Sequence, residues 1–220
     1  MTKPTEPAKS SRRSYYAAGL AGVVAAVAAL YVINGQNGNN AGGESCSAAL
    51  VSAEAATPHA KGEVAAFLPA SQPLDLSGLT FKGPDDQPIT MAGFKDRTVL
   101  LNLWATWCAP CRKEMPALDE LQADLGNEGF EVVAVNLDRG GPEKPKAFLD
   151  EIGVGHLAYY SDASNGLLKD LRRVARATGL PTTILISPDG CEVGTMYGPA
   201  EWASGEAKAL INAAMGKPEA

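Results

Sequence analysis

The chain has 220 residues, of which 45% are hydrophobic and 20% charged. These proportions exclude a disordered chain, a collagen-like chain and a multi-pass membrane protein. Four cysteines are too few for a disulfide scaffold, so the core has to come from packing. The net charge of -6 is unevenly spread: residues 1–33 hold Lys3, Lys9, Arg12 and Arg13 against Glu6, which leaves 15 basic and 24 acidic side chains for residues 34–220. An acidic body argues against a nucleic-acid partner, whose binding rests on neutralising phosphates.

From Tyr15 to Ile33 run 19 residues without a charge. At about 1.5 Å rise per residue this nearly spans a hydrocarbon core of about 30 Å. Four cations precede the run and no charge follows before Glu44. The positive-inside rule therefore predicts a single transmembrane helix with its N-terminus in the cytoplasm and the rest exported. The alternative is a cleaved signal peptide, for which Ala26-Val27-Ala28 fits the A-x-A pattern. Cleavage there would leave the apolar Leu30-Tyr31-Val32-Ile33 on the mature chain, which favours the anchor. Either way the body enters an oxidising space. The expected organisation is a basic N-terminus (1–14), an anchor (15–33), a tether and lead-in (34–66) and a folded domain (67–220). The Gly/Asn-rich stretch 34–45 reads as a flexible tether, and the Ala-rich 47–66 as a short helix with a weak amphipathic signal.

In the body, the apolar runs Val99–Trp104, Phe130–Leu137 and Thr182–Ser187 read as buried strands. Ser187-Pro188-Asp189-Gly190 is a turn, and Cys191–Tyr197 its hairpin partner. Helices are predicted over 108–125, 143–152, 166–177 and 202–215. The first repeats apolar residues at Cys111, Met115, Leu118, Leu121 and Leu125. A short strand is expected at Leu157–Tyr160, and edge structure within Phe67–Phe81. Alternating strands and helices imply an α/β fold, a central mixed sheet with helices on both faces.

Cys108-Ala109-Pro110-Cys111 follows the first core strand and opens a helix, the context of a redox motif. Unsatisfied N–H groups and the macrodipole at a helix start favour a thiolate, the attacking species in disulfide exchange. Cys111, one turn in, is placed to resolve a mixed disulfide on Cys108. The other readings are a structural bridge within the motif and a zinc site built from all four cysteines. Cys46 and Cys191 are isolated rather than paired at zinc-ligand spacing, so no metal or other cofactor is expected.

The stretch LNLWATWCAPCRKEMP (Leu101–Pro116) and Gly179-Leu180-Pro181-Thr182-Thr183 resemble the thioredoxin superfamily, and within it the membrane-anchored TlpA/ResA branch of bacterial thiol-disulfide oxidoreductases. The resemblance implies a thioredoxin fold over about residues 67–215. It implies that Pro181 is a cis-proline facing the active-site sulfurs, with Leu180 offering backbone groups and Trp107 part of a docking surface for substrate. Where thioredoxins carry a buried Asp six residues before the nucleophile, this chain has Asn102. Glu114, three residues after Cys111, is the expected acid/base; a solvated helix glutamate paired with Arg112 or Lys113 is the plainer reading. With Cys108 and Cys111 assigned, one of three connectivities remains, a structural disulfide between Cys46 and Cys191.

The implied activity is protein disulfide reduction on the periplasmic side of the bacterial inner membrane, with electrons returned by a membrane thiol reductase. The implied clients are a copper-site subunit of a haem–copper cytochrome oxidase or its copper chaperone, or else apocytochrome c. A copper-binding chaperone on the same fold is the reading from another class; it would use C-x-x-x-C and a distant His, whereas His59 and His156 show no ligand spacing. Lys169, Arg172, Arg173 and Arg176 form a basic stripe expected on one helix face, solvated or docking an acidic partner.

Overall fold

The computed structural model describes residues 46–217. The basic N-terminus, anchor and tether expected up to residue 45 lie outside the described residues, among which no helix is long and apolar enough to cross a membrane.

Ser47–Ala56 forms α1. Its alanines favour helix, and Ala49, Ala53 and Ala56 recur at steps of four and three to give one buried face. Pro58 then turns the chain into a short 3-10 segment. The strands are β1 (Phe67–Pro69), β2 (Thr80–Lys82), β3 (Pro88–Thr90), β4 (Thr98–Trp104), β5 (Phe130–Asn136), β6 (Tyr160–Ser161), β7 (Thr182–Ile186) and β8 (Glu192–Tyr197). The remaining helices are α2 (Ala109–Leu125), α3 (Glu143–Glu151), α4 (Gly166–Arg173) and α5 (Gly205–Ala214). The described strands make one sheet in the order β1-β8-β7-β4-β5-β6-β2-β3. The β4–β5 and β5–β6 pairs are parallel, and the others antiparallel.

Every residue of β4 is buried, as a central strand covered on both faces requires. Alternation divides it. Leu100 and Trp104 face a core built with Met115, Leu118 and Leu121 of α2 and Leu210 and Ile211 of α5. Val99, Leu101 and Leu103 face a second core with Leu167, Leu168 and Leu171 of α4. Asn102, at an even position, is thereby turned towards the α2 face. This is the α/β thioredoxin architecture, a mixed sheet with helices on both sides.

Two elements differ from the sequence reading. The helix expected over 166–177 ends at Arg173. Ala175 takes a left-handed φ of 58°, which breaks the helix, and Val174 just before it is 42% exposed. Arg176 is drawn away from Lys169, Arg172 and Arg173: its Nε lies 2.6 Å from both carboxylate oxygens of the buried Glu192. The basic stripe is therefore not one helix face. The expected strand at Leu157–Tyr160 shrinks to Tyr160–Ser161, because the N–H groups of Gly155, His156 and Leu157 donate to Asp119 Oδ1 on α2 at 3.1, 2.7 and 3.0 Å instead of to a ladder. His156, otherwise exposed, adds a contact of 2.9 Å from its ring Nδ1 to Asp119 Oδ2, and these partners hold the Asp119 carboxyl below its ordinary pKa against the opposing effect of burial.

Candidate active site

β4 delivers the chain to the C-terminal edge of the sheet, where Ala105–Trp107 turn it into α2. The turn is held from outside. Asp138, just past β5, accepts from the Thr106 N–H at 2.9 Å and from its hydroxyl at 3.0 Å, and Asn136 Nδ2 donates to the same carboxylate at 2.8 Å. The Cys108 N–H closes the turn onto the Ala105 carbonyl at 3.1 Å. Spacing around the C-x-x-C gave no sign of Asp138; its signal was a carboxylate just past the end of a buried strand that pairs with β4.

Cys108 is the N-cap of α2, with Pro110 in the first turn where its missing N–H costs no helical bond. Its Sγ accepts from the Cys111 N–H at 3.3 Å. Cys108 and Cys111 are joined by a disulfide, S–S 2.03 Å with Cα atoms 5.3 Å apart. Cys108 is 6% exposed and Cys111 fully buried, so an incoming sulfur meets Cys108 first. Beside them Trp107 is 66% exposed, whereas Trp104 is buried against Phe148.

The Leu180–Pro181 peptide bond is cis. Thr182 pairs with Leu103, which sets Pro181 next to Trp104 at the end of β4 from which the Cys108 turn springs. The Thr182 hydroxyl bonds to the Gly179 carbonyl at 2.8 Å, and the Gly198 N–H to the Pro181 carbonyl at 3.0 Å, so both sides of this loop are tied down.

Glu114 is 3% exposed. It points inward rather than pairing with Arg112, whose guanidinium instead lies over the Phe148 ring at 5.0 Å. Asn102 Nδ2 donates to Glu114 Oε1 at 2.8 Å and to Thr183 Oγ1 at 2.9 Å. The Ala200 N–H donates to Glu114 Oε2 at 3.3 Å. The Trp202 indole N–H faces the same carboxyl without closing a good hydrogen bond. Burial pushes the Glu114 pKa from 4.5 up to about 7; the donors from Asn102, Ala200 and Trp202 oppose this rise without cancelling it. A carboxyl one helical turn past Cys111 that gains and loses its proton near neutrality is suited to general acid–base work. The sequence pointed to Glu114 and Asn102; Thr183, Ala200 and Trp202 join them only through the fold.

Cys46 and Cys191 form a second disulfide, S–S 1.99 Å, joining the start of α1 to the start of β8 across 145 residues. Both cysteines are buried. Among the described residues no group of three or more His, Cys, Asp or Glu is arranged to hold a metal ion.

Residues 64–211 match the Redoxin family model. The chain is 36% identical over 106 residues to the thiol-disulfide oxidoreductase ResA of Oceanobacillus iheyensis, covering 48% of this chain and 52% of that one. It is 31% identical over 133 residues to ResA of Bacillus subtilis, covering 58% and 68%. The aligned part thus spans about half the length of the first of these relatives and two thirds of the second. A Chlorobium tepidum crystal structure described as a thiol:disulfide interchange protein DsbE superposes with a TM-score of 0.53 at 25% identity, covering 64% of this chain and 95% of that one. Fold, motif and relatives agree: the chain belongs to the Redoxin family, in the TlpA/ResA branch of thioredoxin-fold proteins.

Proposed function

We propose that the chain is a membrane-anchored thiol-disulfide oxidoreductase that reduces disulfides of exported proteins. The observation that carries this reading is the Cys108–Cys111 disulfide at the start of α2, with the buried Glu114 one turn further on. In the reduced protein the Cys108 thiolate, favoured by the helix start, attacks a client disulfide and releases one client thiolate. Cys111 gives its proton to Glu114 and attacks the Cys108 sulfur, breaking the mixed disulfide and releasing the second client sulfur as a thiolate, which Glu114 or solvent then protonates. Two electrons pass to the client and the protein leaves with the Cys108–Cys111 bond closed. Trp107 and the Leu180–Pro181 loop frame the client chain, with Leu180 offering its backbone groups.

The uncharged stretch 15–33 and the cations before it support an anchor in the bacterial inner membrane, with residues 1–14 in the cytoplasm, 34–66 as tether and lead-in, and 67–220 as the periplasmic domain. The buried Cys46–Cys191 bridge suits such an oxidising compartment. A membrane thiol reductase then supplies the electrons. The clients are the copper-site cysteines of a cytochrome oxidase subunit or its copper chaperone, with apocytochrome c as the second reading; the likeness to a thiol-disulfide oxidoreductase and to a thiol:disulfide interchange protein supports disulfide exchange with a client.

The test is to express Cys111→Ser in the native compartment. Cys108 should then hold client proteins as mixed disulfides, while Cys108→Ser captures none. A redox potential near about -120 mV, the strongly oxidising end of the range, would overturn the reductive direction.

A further inference from the structure

The Glu114 carboxyl has an unbalanced surround. Asn102 Nδ2, the Ala200 N–H and the Trp202 indole are all donors. This set suits the carboxylate and offers no acceptor to the acid form. Within the same cluster one acceptor is unused: Asn102 Oδ1 is buried without a hydrogen-bond partner, on a residue with no exposed surface. A buried polar atom left unpaired forfeits its hydration without recompense, so its presence calls for a reason.

We propose that the Asn102 side-chain amide turns over with the proton on Glu114, donating through Nδ2 to the carboxylate and accepting through Oδ1 from the acid. The inference deepens the reading of Glu114 as the proton carrier and rests on it for its part in turnover. Thr183 makes the exchange even. Its hydroxyl accepts from Asn102 Nδ2 in the observed arrangement and can donate to Oδ1 after the turn. Each arrangement then has two hydrogen bonds and one amide end without a partner. The two ends are nearly equal in size, so the turn asks for no repacking.

Asn102 is a positioning residue here. It never meets the client, and it keeps both protonation states of Glu114 hydrogen-bonded, so neither is trapped. The other groups around the carboxyl are few. Cys111 precedes it on α2 and is disulfide-bonded in this state, Arg112 and Lys113 are exposed, β7 presents the neutral Thr183, and the segment after β8 presents Ala200 and Trp202, with Glu201 exposed. No charged side chain contributes to the raised Glu114 pKa, so the amide answers to one proton.

The test uses the oxidised full-length chain in detergent micelles, where no active-site thiol titrates. The Asn102 side-chain NH2 and the Glu114 carboxyl are followed by NMR from about pH 5 to 9. The two should share a midpoint, and contacts from the Asn102 amide protons to the Thr183 methyl should fade on the acid side. Glu114→Gln should abolish the amide transition. A second measurement uses Asn102→Leu: because both forms of Glu114 lose one partner, its proton affinity should move less than about threefold, whereas loss of a fixed donor would raise it about tenfold, the ratio that 1.4 kcal/mol supports. If Asn102→Leu does not fold, Thr183→Val takes its place: it removes a partner common to both orientations, so the amide should still turn with the Glu114 midpoint, and amide protons that stay put while Glu114 titrates would overturn the proposal. Amide protons that keep their Thr183 contacts while Glu114 titrates overturn the proposal. An exchange rate left unchanged by Glu114→Gln, with the amide turning in the unsubstituted protein and fixed in the variant, would instead sink the proton-carrier reading alone.

Discussion

Replacing Glu114 by Gln gives the sharpest energetic prediction. In the folded protein burial raises the Glu114 pKa from 4.5 to about 7. Between those values the folded state holds a proton that the unfolded chain has released, so stability falls as pH rises through this window. Below about pH 4.5 both states are protonated and there is no cost. Above about pH 7 the folded state carries a buried carboxylate. The accumulated cost is then about 3 kcal/mol, at about 1.4 kcal/mol for each tenfold change in proton affinity. Gln keeps an acceptor for Asn102 and never ionises. The assay is urea unfolding of the oxidised protein, wild type against Glu114→Gln, at about pH 4.5 and 8.5. All other titrating groups cancel in the difference. Glu114→Gln should be the more stable at the alkaline value by about 2–3 kcal/mol relative to the acid value. A difference that is flat across the range would refute a buried Glu114 with a raised pKa.

Three other outcomes follow from the contacts. Cys46→Ser with Cys191→Ser should lower stability by about 2–5 kcal/mol in denaturant unfolding, as loss of a native bridge does, while the Cys108–Cys111 pair still exchanges disulfides with a model dithiol. Arg176→Met leaves the 2%-exposed Glu192 with only the Thr195 hydroxyl. It should cost about 2–3 kcal/mol, less than a fully buried pair, because the Arg176 side chain is 25% exposed; adding Glu192→Leu should recover most of it in the same melt. Asp138→Ala removes the acceptor for the Thr106 N–H and hydroxyl, so amide hydrogen exchange at Thr106–Cys108 should speed up about tenfold, the effect of one net hydrogen bond.

What was readable in the sequence follows the range of the forces involved. Val99–Trp104 declared itself a buried central strand because a fully covered strand needs an unbroken apolar run. The C-x-x-C was legible because strand end, N-cap and first helical turn are adjacent in sequence. The α4 boundary was not. Leu167, Leu171 and Val174 keep a helical period past the point where the chain leaves the helix, and the cause is a tertiary attraction, Arg176 to Glu192. The strand at Leu157 failed for a related reason: its flanking amides are claimed by Asp119, 36 to 38 residues earlier. In the site, Glu114 and Asn102 were visible as residue types, but their meeting across 12 residues and the arrival of Thr183, 81 residues from Asn102, depend on sheet register.

That register also explains why the acid can sit on the helix. Asn102 occupies the strand position that faces α2, and β7 brings Thr183 directly opposite it. An acid at Asn102 would be fixed to a rigid central strand. Glu114 reaches the same place on a longer side chain from α2, the helix that also carries Cys111. The carboxyl is then held by β4 through Asn102 and by the segment after β8 through Ala200. Protonating it turns the Asn102 amide over and weakens the bond from the Ala200 N–H, so the proton that leaves Cys111 during exchange is registered by two elements that flank the cysteine pair. Asn102 is what keeps that event from leaving the acid form without an acceptor, and this is why a neutral amide, rather than an apolar residue, suits the strand position.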